Sequence, residues 1–218
     1  MKDPLKFFLV AGEPSGDFHG AKLIKAIKSL NPYTSFMGHG GNLMEKEGMK
    51  IVQHINNLSV MGFKEVLVHL PRMWKIMRKT TPLIERVRPD RIILIDYPGF
   101  NLHLAKRISR LKIPISYFIL PQTWAWKSKR VEKVKKYIDQ TYSIFPFEKT
   151  WYKSRGVDTK YFGHPFMEVE HLNENRAQFF KRHNLNEKNK LIALLPGSRQ
   201  QEVDKHLKIF IETITLLK

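Results

Sequence analysis

Two carboxylates, a hydroxyl and an imidazole alternate along one short stretch, "AGEPSGDFHG": Glu13, Ser15, Asp17 and His19. Such side chains hold polar ligands or move protons when a fold brings them to a cleft. Spacing excludes two common arrangements. A dinucleotide phosphate loop reads G-x-G-x-x-G, whereas Gly12, Gly16 and Gly20 lie four residues apart. A nucleophile elbow reads G-x-S-x-G, whereas Ser15 sits in "GEPSG". What remains is a junction between a strand and a helix, with four polar side chains on it.

Asp96 closes the apolar run "DRIILID", immediately before "YPGFN". An acid in that place is either a turn cap or a general base, which must reach the proton it removes. The sequence leaves both readings open. "LLPGSR" sets Gly197, Ser198 and Arg199 between an apolar run and a helical pattern. Backbone N–H groups at a helix start attract anions, and an arginine adds a bidentate contact; the alternative is an ordinary turn with a surface arginine. "GHGG" is either a place of close approach by a substrate or a plain glycine turn. In "PQTWAW", Gln122 is followed by Trp124 and Trp126, which either pack under a sheet or line a cleft, the first being the commoner fate of tryptophan. His19, His39 and His164 show neither H-E-x-x-H nor a related metal spacing, so no metal site is expected.

The elements that must carry these residues alternate between strand and helix. Phe7–Ala11 is a short apolar run bounded by Pro and Gly, hence a buried strand. Leu23, Ile24, Ile27 and Leu30 follow at helical spacing, with Ser15 or Asp17 as the expected cap. "TSFMGHGG", "DRIILID", "PISYFIL", "QTYSIF" and "KYF" read as strands. Helical patterns fall at "PRMWKIMRKTTPLIERVRPD", with a kink expected at Pro82, at Leu104–Leu111, in "KSKRVEKVKKYI" and in "PFEKTWYKSRG". This alternation with short connections predicts an α/β, doubly wound, mostly parallel Rossmann-like sheet. Ligands in such sheets bind at the carboxyl ends of the strands, and the unusual residues sit there. Three regions are expected: a Rossmann-like domain over 1–166, an interdomain segment over 167–189, and the first strand and helix of a second α/β unit over 190–218.

The 218 residues include no cysteine, which removes disulfides and cysteine–zinc sites. The apolar run Phe7–Ala11 is too short for a signal peptide, and no run reaches the roughly 20 residues of a transmembrane helix, so a cytoplasmic location is expected. Thirty-eight Lys and Arg against 20 Asp and Glu give a net charge of +18. That excess favours an anionic partner: nucleic acid, an anionic membrane or a phosphorylated substrate. "LSVMGFKEVLVHLPRMWKIMRK" mixes apolar residues with cations, as a membrane-surface helix or a core-facing helix does.

Taken together, "LVAGEPSGDFHGAKLI", "GHGGNLMEKEG", "LSVMGFKEVL", "IDYPGFN", "PQTWAWKSKRV", "FPFEK", "YFGHP" and "LLPGSRQQEV" resemble, in order, the characteristic segments of the lipid-A-disaccharide synthase family. The resemblance covers essentially the whole chain. It implies the N-terminal half of a glycosyltransferase with two Rossmann-like domains, peripheral at the inner face of the inner membrane. The implied reaction joins UDP-2,3-diacylglucosamine to 2,3-diacylglucosamine 1-phosphate, with UDP released. It also implies Asp96 as general base and Arg199 at the phosphates. Glu13, Ser15, Gly16, Asp17, His19, Met61, Asn101, Gln122, Gly197 and Ser198 are the implied substrate-binding positions. No cofactor and no metal are expected. Some members carry a second acid where this chain has Gly99, which leaves Asp96 as the sole base of its segment. Members are also longer, so the chain is expected to be a fragment, a truncated gene product or half of a split enzyme. A homodimer or a separate chain supplying the donor domain then becomes an expected partner, alongside an anionic membrane surface. Other readings are another UDP-sugar glycosyltransferase, a non-catalytic remnant binding lipid or a partner chain, and a basic module using "KSKRVEKVKK" on nucleic acid. That last one lacks any recognised nucleic-acid signature, and no nucleic-acid partner is expected.

Overall fold

A computed structural model describes residues 4–58, 63–168, 174–197 and 200–216, without the side chains of 57, 63–70, 168, 200 and 201. The chain divides into two compact units, Met1–Val169 and Glu170–Lys218. The division falls a few residues beyond the boundary expected at 166.

The first unit is built on seven strands: β1 (Lys6–Val10), β2 (Ser35–Gly40), β3 (Lys50–His54), β4 (Arg91–Ile95), β5 (Ile115–Phe118), β6 (Gln140–Ser143) and β7 (Lys160–Tyr161). They form one sheet in the order β3-β2-β1-β4-β5-β6-β7. Every pairing is parallel, with Val10 beside His39 on one side and Leu94 on the other. Six helices connect them: α1 (Pro14–Leu30), α2 (Asn42–Lys46), α3 (Phe63–Val87), α4 (Pro98–Ile108), α5 (Arg130–Tyr137) and α6 (Pro146–Lys153).

The apolar runs form strands because both faces of the sheet are covered, so neighbouring residues on a strand are buried in opposite directions. Phe8, Val10, Ile92 and Leu94 join Ile76, Met77 and Ile84 of α3, Phe100 and Leu104 of α4 and Val134 of α5. Leu9, Ala11, Ile93 and Ile95 meet Ile24 of α1 and Met44 of α2 on the other face. The strand β3 and the helix α2 were not legible as elements. β3 is a half-exposed edge strand, and α2 has only five residues.

Two local expectations are corrected. Helix α1 begins at Pro14, with Glu13 at its N-cap, so neither Ser15 nor Asp17 caps it; proline at the first helical position needs no N–H partner. Trp124 and Trp126 do not pack under the sheet: both are exposed. Helix α3 runs through Pro71 as well as Pro82.

The second unit holds α7 (Arg176–Arg182) and α8 (Gln200–Thr215). Asn175 and Gln178 close α7 with a reciprocal capping box, both bonds 3.0 Å, so part of the expected interdomain segment is helical. The expected strand at "KLIALL" is not formed among the described residues. A strand exists through its ladder, and residues 190–197 pair with none.

Candidate active site

The sheet order reverses between β1 and β4. From β1 the chain passes to β2 on one side, and the second run of strands starts with β4 on the other. Such a switch point opens a crevice outside the carboxyl ends of its two strands. Here the residues beyond those ends are Ala11–Glu13 and Asp96–Tyr97.

Asp96 has φ 42° and Tyr97 φ 49°. Two consecutive non-glycine residues in the left-handed region are costly, on the order of 1–3 kcal/mol each, and persist only where surroundings enforce them. The enforcing groups are visible. The Asp96 carbonyl accepts from Tyr117 Oη at 2.6 Å and from Asn101 Nδ2 at 2.7 Å. Its N–H donates to the Phe118 carbonyl at 3.0 Å. The Tyr97 hydroxyl donates to the Leu58 carbonyl at 2.8 Å, and a Cβ on Gly12 would stand 2.2 Å from a Tyr97 ring carbon, so glycine is required there while the ring keeps its place. Further along the same edge of the sheet, Ile119 and Lys127 also have positive φ, 63° and 53°. Positive φ is not confined to that edge, since Arg88 and Lys112 before β4 and β5 share it, but among the described residues only at Asp96 and Tyr97 do two such residues adjoin.

That clamp leaves the Asp96 carboxyl poorly solvated. Burial pushes it up to about 6, the neighbouring Glu13 carboxylate pushes the same way, and a hydrogen bond from the Tyr97 backbone opposes them. Tyr97 rises to about 12, through burial and then Glu13. A carboxyl titrating near 6 is ionised at neutral pH and still basic enough to take a proton from a hydroxyl in a transition state.

Of the positions implied by the resemblance, Glu13 and Asp96 stand together at the switch point. Asn101 lies directly behind Asp96, with no exposed surface. Its Nδ2 also reaches the carbonyls of Val10 and Ile95, both at 3.3 Å, so it ties the ends of β1 and β4 together. Asp17 is 4 % exposed. Its carboxylate accepts from the N–H groups of Gly41 (2.8 Å), Met44 (3.0 Å) and Leu43 (3.1 Å). Within "GHGG" it is Gly41 that permits the close approach of Asp17, since a Cβ there would stand 2.5 Å from its Oδ2, whereas Gly38 and Gly40 make room for the Leu9 backbone and for Met44 and Met49. Gly16 is buried and Ser15 is exposed. His19 is almost fully buried, and its Nδ1 has no partner. Burial lowers its pKa, and the nearby His164 and Lys22 lower it further. Gln122 is exposed on the loop after β5, and its carbonyl accepts from Ala125 at 3.1 Å. Gly197 lies in the second unit. Met61, Ser198 and Arg199 lie outside the described residues.

Sequence reasoning passed over Tyr117 and Glu148. The first is a hydroxyl inside an apolar strand, a signal of a buried polar task. Glu148 is fully buried and accepts from Ile144 and Phe145 N–H at 3.1 Å and from Trp124 Nε1 at 3.0 Å. It fixes the tryptophan loop that follows β5. Along α4, a cavity of about 340 Å³ is lined by Met73, Trp74 and Met77 of α3 and by Gly99, His103, Lys106 and Arg107 of α4. Arg107 lies over the Trp74 ring at 4.7 Å. Among the described residues, no helix is long and apolar enough to cross a membrane, and no three metal-ligating side chains cluster.

A parallel sheet with helices on both faces and a polar switch-point crevice is the Rossmann-like α/β class. Solved structures with this fold include UDP-GlcNAc 2-epimerase from Methanocaldococcus jannaschii, at TM-score 0.53 and 14 % identity, covering 99 % of this chain and 62 % of that one. Another, from Rickettsia bellii, gives TM-score 0.53 and 14 % identity over 84 % of this chain and 52 % of that one. Sequence comparison is more specific. The family model for lipid-A-disaccharide synthetase matches residues 7–218, and the chain belongs to that family. The lipid-A-disaccharide synthase of Syntrophotalea carbinolica is 39 % identical over 215 residues, 98 % of this chain and 54 % of the relative. That of Acidobacterium capsulatum is 40 % identical over 208 residues, 95 % of this chain and 52 % of the relative. The chain thus spans about half the length of these curated relatives.

Proposed function

We propose that this chain forms the acceptor-binding half of a hexosyltransferase that condenses UDP-2,3-diacylglucosamine with 2,3-diacylglucosamine 1-phosphate. Asp96 is the general base. It takes the proton of the acceptor 6-hydroxyl as that oxygen attacks the anomeric carbon, on the face opposite the departing UDP. Arg199, with Gly197 and Ser198, meets the phosphates and offsets charge on the leaving group. Tyr117 and Asn101 position Asp96 through its backbone. Glu13 holds its basicity up and, with Ser15 and Gln122, faces the polar acceptor. The apolar cavity beside α4, with cations around it, suits an acylated phosphosugar, and the exposed cations of α3 suit attachment to an anionic membrane from the cytoplasmic side.

The observation that carries this reading is the strained, clamped acid at the switch point, with its carboxyl raised to about 6. The test is transfer activity of the chain alone and together with the C-terminal half of a curated relative. Asp96→Asn should lower turnover by about 10²–10⁴, the usual scale for loss of a general base, with acceptor binding kept. Turnover near that of the parent removes Asp96 from the mechanism.

A further inference from the structure

Arg130 opens α5 on the loop side of the sheet. It is half-buried, and among the described residues its side chain makes no hydrogen bond and no ion pair. Its neighbours are of another kind. Its guanidinium lies over the Trp126 ring at 5.1 Å, and Lys127 Nζ lies 4.9 Å from the same ring. Buried Tyr117, whose hydroxyl bonds the Asp96 carbonyl, feels Arg130 and Asp96 alike, the two acting in opposite directions. Arg130 therefore belongs to the surroundings of Tyr117, as Asp96 does. Burial also pulls the guanidinium below its ordinary pKa.

A partly desolvated cation without a counter-charge is unfavourable, and a second cation at the same ring adds to the cost. The exposed indole offers each cation a weak face but no negative charge. The missing component is an anion, and a planar guanidinium fork matches phosphate oxygens in pairs. We propose that Arg130, backed by Trp126 and Lys127, binds the phosphate of a sugar 1-phosphate acceptor and so fixes the sugar with its hydroxyl towards Asp96. This rests on the function proposed above and adds a specificity-determining contact: the chain selects phosphorylated over unphosphorylated acceptor.

The test is calorimetric titration of the full chain with four probes: short-chain 2,3-diacylglucosamine 1-phosphate, the same sugar without phosphate, inorganic phosphate and UDP. The parent should bind the phosphorylated sugar at least about tenfold more tightly than the unphosphorylated one, the scale of one hydrogen bond to a charged group. Arg130→Gln should remove that preference and leave affinity for the unphosphorylated sugar within about twofold. Arg130→Lys should restore part of it, because charge returns but the fork does not. Thermal melts should show both variants folded; a merely structural arginine would weaken both sugars together. A preference that survives Arg130→Gln overturns the assignment and leaves Asp96 untouched. A loss confined to UDP overturns it as well, by moving the contact to the donor. Arg130-dependent binding of inorganic phosphate with no sugar bound supports the anion site and sinks the acceptor reading instead. Absence of any Arg130-dependent binding sinks the site.

Discussion

Two aspartates at the carboxyl edge of the same sheet have opposite surroundings. Asp17 is buried beneath the β2–α2 turn, and its carboxylate accepts from three backbone N–H groups that α2 and its N-cap would otherwise leave unpaired. It caps from a distance a helix too short to stand alone. Asp96, at the β4–α4 turn, has the reverse distribution. Its backbone carbonyl is held by two donors, while its carboxyl faces an acid and gains only a backbone hydrogen bond from Tyr97. One acid spends its charge on the fold. The other is held by the fold with its charge unspent, as the proposed general base requires.

The sharpest way to break this contrast is to remove each side chain and read stability. Asp17→Ala should destabilise the chain by about 2–4 kcal/mol, since three buried or half-buried donors lose a charged acceptor. Urea denaturation at pH 8 measures it, and a loss below that of an ordinary surface substitution would return Asp17 to the list of ligand-facing groups. Asp96→Asn should act in the other direction. The Asp96 pKa is about 6 in the folded chain against an ordinary 3.8, so the folded state holds its proton more tightly than the unfolded state. Ionisation therefore costs stability: nothing below the ordinary value, an increasing amount as pH rises from 3.8 towards 6, and the full amount above. Asparagine removes that cost and also tolerates positive φ. The variant should gain about 1–2 kcal/mol at pH 8, allowing for partial exposure, and nothing at pH 4. A loss at pH 8 would make Asp96 a structural cap like Asp17.

A smaller effect sharpens the comparison. Because Glu13 helps to raise the Asp96 carboxyl, Glu13→Gln should move its titration to lower pH, observable by carbon-13 NMR of labelled aspartate or as a shift in the acid limb of turnover. An unchanged midpoint would leave burial as the whole cause.

Much of this was legible before any coordinates. The apolar runs "FFLVA" and "DRIILID" mark strands covered on both faces, because a parallel sheet needs no polar alternation. Helix-period spacing marks α1 and the part of α3 beyond Pro71, and ordered motifs mark the family. Asp96 itself was visible as an acid at a strand end, with its cap and base readings undivided.

What the sequence determined, then, is most of the order of strands and helices in the first unit, the family, and which polar residues fall at strand ends, since these follow from local period and motif. The tertiary structure alone decided what each polar residue does. Asp17 meets its donors 24–27 residues away, Asn101 reaches a carbonyl 91 residues away, and Asp96 is held by a tyrosine 21 residues on. Whether a carboxylate is spent or free depends on which N–H groups the folded chain brings within 3 Å or so of it. That count is a property of packing between distant segments, which no spacing along the chain encodes.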